Sequence, residues 1–387
     1  MECGHCGEGL SVPRGARVVH CAHCRGVTRV GRRHGAMGFV VNMITNMAGG
    51  GRTRPATPPR LREAGYPRVH GDKRALLVGI SYTGTHLPEL SGPITDVKSM
   101  SFLLTQKYGF PSQCVLVLTD EERDPYRTPT KSNILLAMRW LVHGCGSGDS
   151  LVFHFSGHGD QVRDEDGDER DGKDEVLCPV DSDPDDDGSD IRDDEINAAL
   201  VRPLVHGVRL HAIVDACHSG TVLDLPNLCK IKKNGESEWT DQSAPNGAWK
   251  KTSGGQAVLI SGCADTQTST DGVGDELVGM GALTYSFFTA ALFAQRTPTY
   301  AQLLATIRAI IRERNADGRV SCKLPAPVCS LVRKVVNFSG GAAADLVEQI
   351  RHQPDAISAM NGLPGDAGLC WINQVAVKFK KKVAVAE

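Results

Sequence analysis

The feature that most constrains this chain is a series of short apolar runs that alternate with amphipathic segments between about residues 74 and 314. The runs read ALLVGI, CVLVL, SLVFHF, HAIVD and QAVLI. Continuous apolar runs of this length are typical of parallel strands that are buried on both faces. Because helical patterns lie between them, we predict an α/β fold built around a mostly parallel central sheet.

The composition is that of a globular chain, but its charge is unevenly distributed. Hydrophobic residues make up 41% and charged residues 23%, and the net charge is −2. Residues 1–70 hold eleven arginines against three acidic residues, whereas residues 164–195 hold seventeen acidic against three basic residues. The small net charge gives no global reason to expect nucleic-acid binding. The acidic tract is either a solvated charge run, which fits residues 183–187 well, or a cation site.

The chain shows no membrane or secretory segment. No stretch of 18 apolar residues is present, and the start MECGHCGEGL lacks a basic region followed by an apolar one. We therefore expect no membrane association and a location in the cytoplasm or the nucleus. In a reducing compartment, the thirteen cysteines favour metal-binding or catalytic thiols over disulfides.

Two Cys-x2-Cys pairs lie close to the start of the chain. Their members are Cys3, Cys6, Cys21 and Cys24, and His5, His20 and His23 are alternative ligands. The spacing is typical of a four-thiolate zinc site. We predict a metal-dependent finger over residues 1–30 and a flexible Pro/Gly/Arg-rich linker over residues 31–70. Because aromatic residues for base stacking are nearly absent there, a protein-binding adaptor is favoured over a nucleic-acid module.

Two of the apolar runs end in glycine-rich turns that carry a histidine and a cysteine. HFSGHG contains His158 and DACHSG contains Cys217, and adjacent parallel strands would bring these turns together. An imidazole beside a thiol favours thiolate formation and can protonate a leaving amine. We therefore interpret Cys217 as a nucleophile and His158 as its acid–base, with His218 as the rival base. The alternative for Cys217 is a buried, inert thiol.

The turn motifs resemble the catalytic pair of the metacaspases, in the caspase–haemoglobinase clan. The similarity covers about residues 70–315, through ALLVGISY, GPITDVKSM, DEVLCPVD, ISGCADTQTSTD and GALTYSFF. The finger resembles that of plant lesion-simulating-disease proteins, and the finger with its linker is similar to the type I, plant-like subclass. This resemblance implies a caspase-like α/β/α sandwich with a mostly parallel central sheet, preceded by a small zinc finger and a flexible linker.

Several residues are assigned to binding and stabilising a substrate. The amides of Gly159 and Cys217 are the expected oxyanion hole. Asp215 lies two residues before the cysteine and Ser156 two before the histidine, so period-2 geometry places both in one cleft. The resemblance adds Asp96 as a second carboxylate, for which helix capping is the alternative role. Two carboxylates favour Arg or Lys before the scissile bond.

The resemblance also implies a calcium site within the acidic tract. The expected ligands are Asp174, Asp193, Asp194 and Asp224. An EF-hand is excluded, because the glycine position counted from Asp164 is occupied by Glu169. Since Asp224 follows Cys217 by seven residues, a bound ion is expected to order the catalytic loop.

The expected function is a calcium-dependent cysteine endopeptidase that cleaves proteins and peptides after Arg or Lys by a Cys–His dyad. Its parts are a large catalytic part at residues 71–224, a processing loop at 225–255, a small catalytic part at 256–339 and an atypical tail at 340–387. Self-cleavage is expected in the processing loop, at Lys230, Lys232, Lys233, Lys250 or Lys251. The resemblance further implies a role in regulated cell death or stress proteolysis.

Two features leave room for other interpretations. Cys263 ends another predicted strand, and we interpret it as a wall of the cleft because no histidine motif accompanies it. The resembled family ends in a Phe-Asp strand, and no counterpart is recognisable after residue 339. This difference favours an alternative function, a catalytically weak regulator that acts through its finger and its protein partners.

Overall fold

The computed structural model describes residues 10–11, 18–20, 27–29, 64–67, 72–186, 188–231, 237–264, 280–294, 298–315 and 374–379. Near the start, β1 (Val18–His20) and β2 (Val27–Arg29) form an antiparallel pair. The four finger cysteines lie outside the described residues, although two of them belong to the segment that joins β1 to β2.

One eight-stranded sheet forms the centre of the fold. The remaining strands in chain order are β3 (Lys73–Gly79), β4 (Val115–Thr119), β5 (Ser150–Ser156), β6 (Gly159–Arg163), β7 (Lys173–Leu177), β8 (Ile191–Arg192), β9 (Arg209–Asp215), β10 (Asn227–Ile231), β11 (Ser237–Asp241), β12 (Gln256–Ala264) and β13 (Gln374–Phe379). The order in the central sheet is β11-β10-β13-β12-β9-β5-β3-β4. Every pairing in it is parallel except that of β10 with β11. The predicted mostly parallel sheet is confirmed.

Helices cover both faces of this sheet. They are α1 (Pro93–Phe102), α2 (Lys131–Val142), α3 (Asp193–Ile196), α4 (Ala282–Phe293) and α5 (Tyr300–Asn315). Two π-helical turns extend α1 and α3, over Leu103–Lys107 and Asn197–Val201. Within the described residues, no helix combines the length and the apolar character that a membrane crossing needs.

The alternation of side chains along the buried strands produces two separate cores. Leu76 and Val78 of β3 pack with α2, whereas Ala75 and Leu77 pack with α1, α4 and α5. Successive residues of a strand point to opposite faces, so an uninterrupted apolar run fills both cores at once. The expected caspase-like α/β/α sandwich therefore follows directly from the apolar runs.

Two secondary-structure predictions from the sequence are wrong. Residues 225–255 were predicted to be an exposed loop, but β10 and β11 form an antiparallel hairpin at the edge of the sheet. The tail was expected to supply no strand, but β13 pairs in parallel with both β10 and β12. Hydrogen bonding within the sheet determines the structure of these short segments, whose apolar pattern is weak.

The end of the predicted linker packs against the catalytic part. Tyr66 is buried and its hydroxyl donates to the carbonyl of Tyr126 at 2.9 Å. The indole of Trp140 donates to the carbonyl of Pro67 at 2.7 Å. Residues 31–63 and 68–70 lie outside the described part of the chain.

A smaller antiparallel sheet, β6-β7-β8, carries the acidic tract. Its first strand begins at Gly159, directly after the histidine motif. The carbonyl of His158 accepts a hydrogen bond from the amide of Cys178, which follows β7, at 3.1 Å. This sheet, which the sequence did not predict, joins the acidic tract to the histidine turn.

A fully buried charge fixes the start of the sheet. The Arg74 guanidinium donates to the carbonyls of Trp140 and His143 at 3.3 and 2.8 Å and lies 3.5 Å from the Asp149 carboxylate. Both charged side chains are 0% exposed. A buried charge that loses its partner is costly, since no water replaces the lost interaction.

We therefore predict that Arg74→Met lowers the free energy of unfolding by about 3–5 kcal/mol, because Asp149 is left buried without its cation. Urea denaturation followed by circular dichroism measures this difference. Lys98→Met is the matched control, since Lys98 lies 3.9 Å from Glu121 and both side chains are 65% exposed. The control should change stability by less than about 1 kcal/mol, and an equally small change for Arg74→Met would contradict the prediction.

Candidate active site

The histidine and the cysteine of the glycine-rich turns follow neighbouring strands. β5 and β9 pair in parallel, and their last residues, Ser156 and Asp215, lie directly opposite one another. His158 and Cys217 each come two residues later. Because the carboxyl ends of parallel strands meet at one edge of the sheet, both turns lie at the same place.

Close packing of the two turns depends on Gly159. A Cβ atom at this position would overlap the carbonyl oxygen of Cys217 and would approach the Cβ of Ala216 to 3.2 Å. In the structure, the backbone of the cysteine turn already occupies that space. The two residues predicted to supply the oxyanion hole are therefore in direct contact.

The His158 ring is held on both sides. Its Nε2 lies 2.7 Å from the carbonyl oxygen of Pro88, and its centroid is 4.6 Å from that of the Tyr82 ring. Since a carbonyl can only accept a hydrogen bond, Nε2 must carry the proton. In the neutral ring, Nδ1 is then the nitrogen with a lone pair. The arrangement leaves His158 with an acceptor of the kind that a general base requires.

Tyr82 is a functional residue that the sequence analysis missed. It is buried, and its hydroxyl accepts from the amide of His158 at 2.8 Å and donates to the carbonyl of Cys178 at 2.7 Å. Burial raises the pKa of its hydroxyl well above the usual value, so the group stays a neutral donor. Its backbone φ is 59°, a conformation that bulky residues rarely adopt. The carboxylate of Asp120 holds this conformation by accepting from the amides of Ser81 and Tyr82 at 2.9 and 2.8 Å.

Cys217 lies in a turn rather than in a strand. Its side chain is half-buried and forms no disulfide. β9 ends at Asp215, and His218 has a φ of 52°. Neither Cys217 nor His218 is in the strand, so strand alternation does not direct the His218 side chain away from Cys217. The choice of His158 as the base stands on its position and on its free acceptor nitrogen.

The three predicted pocket residues lie together. Asp96 is 0% exposed, and its carboxylate accepts from the hydroxyl of Ser156 at 2.6 Å. It does not cap α1, because the capping position is Gly92 and no side chain caps that helix end. Asp215 accepts from the amide of Thr284 at 2.7 Å. Ser156 and Asp215 lie opposite one another on neighbouring strands, as the strand spacing predicted, and Asp96, which the resemblance added, contacts Ser156.

Gly281 fills the space between these carboxylates. Its amide lies 3.0 and 3.1 Å from the two carboxylate oxygens of Asp96. A Cβ on Gly281 would overlap the Asp215 carboxylate and would lie 2.9 Å from Asp96. A basic side chain of a substrate can reach both carboxylates only after this segment moves.

The four predicted calcium ligands do not form one compact group. The structure has three carboxylate groups whose ligand oxygens lie within 4.8 Å of one another: Asp164–Asp168–Asp174, Asp166–Asp168–Asp194 and Glu169–Asp193–Asp224. The sequence analysis missed Asp166, Asp168 and Glu169. We call the third group the inner acidic group, because it contains the carboxylate that follows the cysteine turn.

The inner acidic group has the chemistry of a cation site. Burial raises the pKa of Asp193 to about 9, and burial together with Asp193 raises that of Asp224. One oxygen of Asp224 is buried and accepts no hydrogen bond. Crowded carboxylate oxygens with an unused acceptor fit a hard cation such as Ca2+. Glu169, Asp193 and Asp224 are the described residues that would hold it.

The acidic group is tied to the turn that carries the cysteine. The hydroxyl of Thr221 donates to the Glu175 carboxylate of β7. The amide of Glu175 in turn donates to Asp193 at 2.8 Å. Asp224, which has a φ of 51°, ends the same turn. A change in the acidic group can therefore reach the cysteine through a few direct contacts.

Two sequence predictions fall outside the described part of the chain. The zinc ligands Cys3, Cys6, Cys21 and Cys24 are among the residues that the structure does not describe. Cys263 lies in β12, but its side chain is not described. Both assignments stay predictions.

Comparison with known proteins identifies related sequences over most of the chain. Residues 73–226 match the family "Metacaspase, peptidase C14 domain", and residues 3–27 match "LSD1 zinc finger". The chain is 42% identical over 367 residues to "Metacaspase-1" of Arabidopsis thaliana, which covers 92% of this chain and 91% of that protein. It is 52% identical over 250 residues to "Metacaspase-2" of the same plant, with 64% and 58% covered. "Metacaspase-1" of Eremothecium gossypii is 36% identical over 332 residues, with 71% and 72% covered.

We predict that Tyr82→Phe slows the alkylation of Cys217 near neutral pH, because the His158 amide and the Cys178 carbonyl lose their shared partner and the backbone that carries the imidazole is held less firmly. A lost buried hydrogen bond of this kind costs about 1–3 kcal/mol. The measurement is the pH profile of iodoacetamide labelling, followed by mass spectrometry of the Cys217 peptide. Tyr126→Phe is the control, since Tyr126 is 39% exposed. Identical profiles for the two variants would show that Tyr82 does not position the histidine.

Proposed function

Since the chain belongs to the metacaspase family of cysteine peptidases, we propose that it is a calcium-dependent endopeptidase that cleaves proteins after Arg or Lys. The observation that supports this most strongly is the parallel register of β5 and β9, which sets the His158 and Cys217 turns side by side. As a peptidase, it acts on protein substrates.

In the proposed mechanism, the thiol proton of Cys217 passes to Nδ1 of His158 and the thiolate attacks the carbonyl carbon of the scissile bond. The backbone amides of Gly159 and Cys217 stabilise the negative oxygen that forms. His158 then gives the proton to the leaving amine, and water hydrolyses the acyl-enzyme. The Pro88 carbonyl supports the histidine in the place where other cysteine peptidases use an Asn or Asp side chain.

The proposed preference for basic residues rests on the two carboxylates of the cleft. A guanidinium or an ammonium between Asp96 and Asp215 forms charge-assisted hydrogen bonds, whereas an aspartate side chain is repelled. Gly281 now donates to Asp96 from this space. Cleavage after Arg therefore requires the start of α4 to move, so that the substrate replaces the glycine amide.

The proposed calcium requirement rests on the inner acidic group. Bound Ca2+ supplies positive charge that cancels the repulsion among the carboxylates. Asp224 would hold the ion while its backbone fixes the end of the turn that begins at Cys217.

The four-cysteine finger is proposed to bind zinc and to contact protein partners, as its family match suggests.

We place the enzyme in the cytoplasm or the nucleus and its role in regulated cell death or stress proteolysis. Its similarity to the metacaspases supports this role. The alternative, a catalytically weak regulator, was favoured by the missing terminal strand, and the pairing of β13 within the sheet removes that argument. The exposed Lys251 remains a candidate for self-cleavage.

We predict that fluorogenic peptides ending in Arg or Lys are cleaved and that those ending in Asp are not. Asp215→Asn should lower kcat/KM for Arg peptides roughly 100-fold, on the order of 3 kcal/mol, because the desolvated substrate cation loses its counter-charge. Glu121→Gln, a 65% exposed carboxylate, is the control and should be unchanged.

The same assay tests the nucleophile. Cys217→Ala should abolish cleavage, whereas Cys263→Ala should keep most of it. Efficient cleavage after Asp by the unaltered chain would overturn the specificity, and no cleavage at any calcium concentration would favour the regulator.

We also predict that Asp224→Asn raises the calcium concentration for half-maximal activity at least about tenfold, since one charged ligand oxygen is lost. Asp224 is a better choice than Asp193, whose carboxylate also accepts from the amides of Glu175 and Asp194. The exposed Asp185→Asn is the control. The measurement is a calcium titration of Arg-peptide cleavage, and thermal unfolding in chelator checks that the variant is folded. An unchanged calcium midpoint would show that calcium acts at another site.

A further inference from the structure

A lysine from the predicted processing loop is buried among the carboxylates of the acidic tract. Lys250 is 5% exposed. Its ammonium lies 2.6 Å from Asp168, 2.6 Å from Glu169 and 2.9 Å from Asp224. It was expected to be an exposed cleavage site, and that expectation is wrong. Two of its three partners belong to the inner acidic group.

The lysine only partly neutralises the carboxylates around it. The inner acidic group also contains Asp193, so a single positive charge faces four carboxylates. Both oxygens of Asp168 and one oxygen of Asp224 are buried without a hydrogen-bond partner, although one Asp168 oxygen forms the ion pair with Lys250. An ammonium offers three donors, whereas Ca2+ takes six to eight oxygen ligands. The unused oxygens show that the group can bind more positive charge than Lys250 supplies.

The backbone of Lys250 is held next to that of Asp224. The buried side-chain amide of Asn197 lies 2.9 Å from the carbonyl of Leu223, 3.4 Å from that of Asp224 and 3.2 Å from that of Lys250. One side chain thus joins the end of the cysteine turn to the lysine segment. The ammonium is therefore kept at the inner acidic group by its own backbone.

We propose that Lys250 is a tethered competitor of the divalent cation. In the cation-free chain its ammonium occupies the inner acidic group, and Ca2+ binding to Glu169, Asp193 and Asp224 displaces it. Two cations cannot share these oxygens at contact distance, because their repulsion in a buried site is strong. Displacement exposes the bond between Lys250 and Lys251 to a protease that recognises basic residues.

This inference rests on the calcium binding of the proposed function but not on its peptidase activity. It predicts that Lys250 lowers the apparent calcium affinity, since each binding event must also remove an internal ion pair. It also makes a cleavage site available only when calcium is bound. The change is local, because Ca2+ replaces an ammonium group at a buried site that contacts the turn after Cys217.

The first test measures calcium binding to the full chain. The chain carries Cys217→Ala, so that it cannot cleave itself. Isothermal titration with CaCl2 should show binding at least about tenfold tighter in the additional Lys250→Met variant. Lys251→Met in the same background is the control and should bind as before. Unchanged or weaker binding in Lys250→Met overturns the inference while leaving calcium binding intact. The absence of calcium binding in every variant would overturn both.

A second measurement keeps Lys250 in place, since its replacement also removes three buried ion pairs. The Cys217→Ala/Lys251→Met variant is treated with a lysine-specific endoproteinase, with CaCl2 or with chelator. Mass spectrometry then follows cleavage after Lys250, with cleavage after the exposed Lys98 as the internal reference. We expect calcium to accelerate the first cleavage at least about tenfold relative to the second. An unchanged ratio would show that the ion does not release the lysine.

Discussion

The parallel pairing of β5 with β9 is the constraint on which the rest of the site depends. In a parallel sheet, a slip of one residue would turn each side chain to the opposite face. Here both faces are filled, with Phe153 and Phe155 in one core and Val152 in the other. His154 adds a polar anchor, because its buried ring lies 3.2 Å from the hydroxyl of Thr284 in α4. Burial lowers the pKa of this histidine to about 3, so it stays neutral in the core.

Buried charge governs both functional regions in the same way. A carboxylate removed from water is costly unless hydrogen bonds or a counter-ion replace its hydration. Asp96 receives the hydroxyl of Ser156 and the amide of Gly281, and Asp224 receives the ammonium of Lys250. In each region the chain's own donors occupy the place proposed for an external cation, a substrate side chain or Ca2+. The structure therefore has the charge arrangement expected of a latent enzyme under the proposed function.

The sequence predicted well the features that depend on local pattern. Continuous apolar runs identified the buried strands, and a turn after each of two runs identified His158 and Cys217 as neighbours. The sequence could not identify the carbonyl of Pro88, because a backbone oxygen has no residue type that signals its role. It also could not pair Lys250 with Asp168, 82 residues earlier. The lysine was interpreted as exposed because lysines usually are.

The turn after Cys217 connects the two regions physically. It runs from the cysteine to Asp224, and non-glycine residues at its beginning and end, His218 and Asp224, have positive φ. Such backbone conformations persist only where surrounding contacts impose them. At the Asp224 end of the turn, the Thr221 hydroxyl donates a hydrogen bond to the Glu175 carboxylate, and Asp224 forms an ion pair with Lys250. If that ion pair is exchanged for a divalent cation, the contacts that impose the conformation change at Asp224, seven residues after Cys217. The acidic tract can therefore act on the cysteine through the chain itself, without a rearrangement of the sheet that positions the histidine.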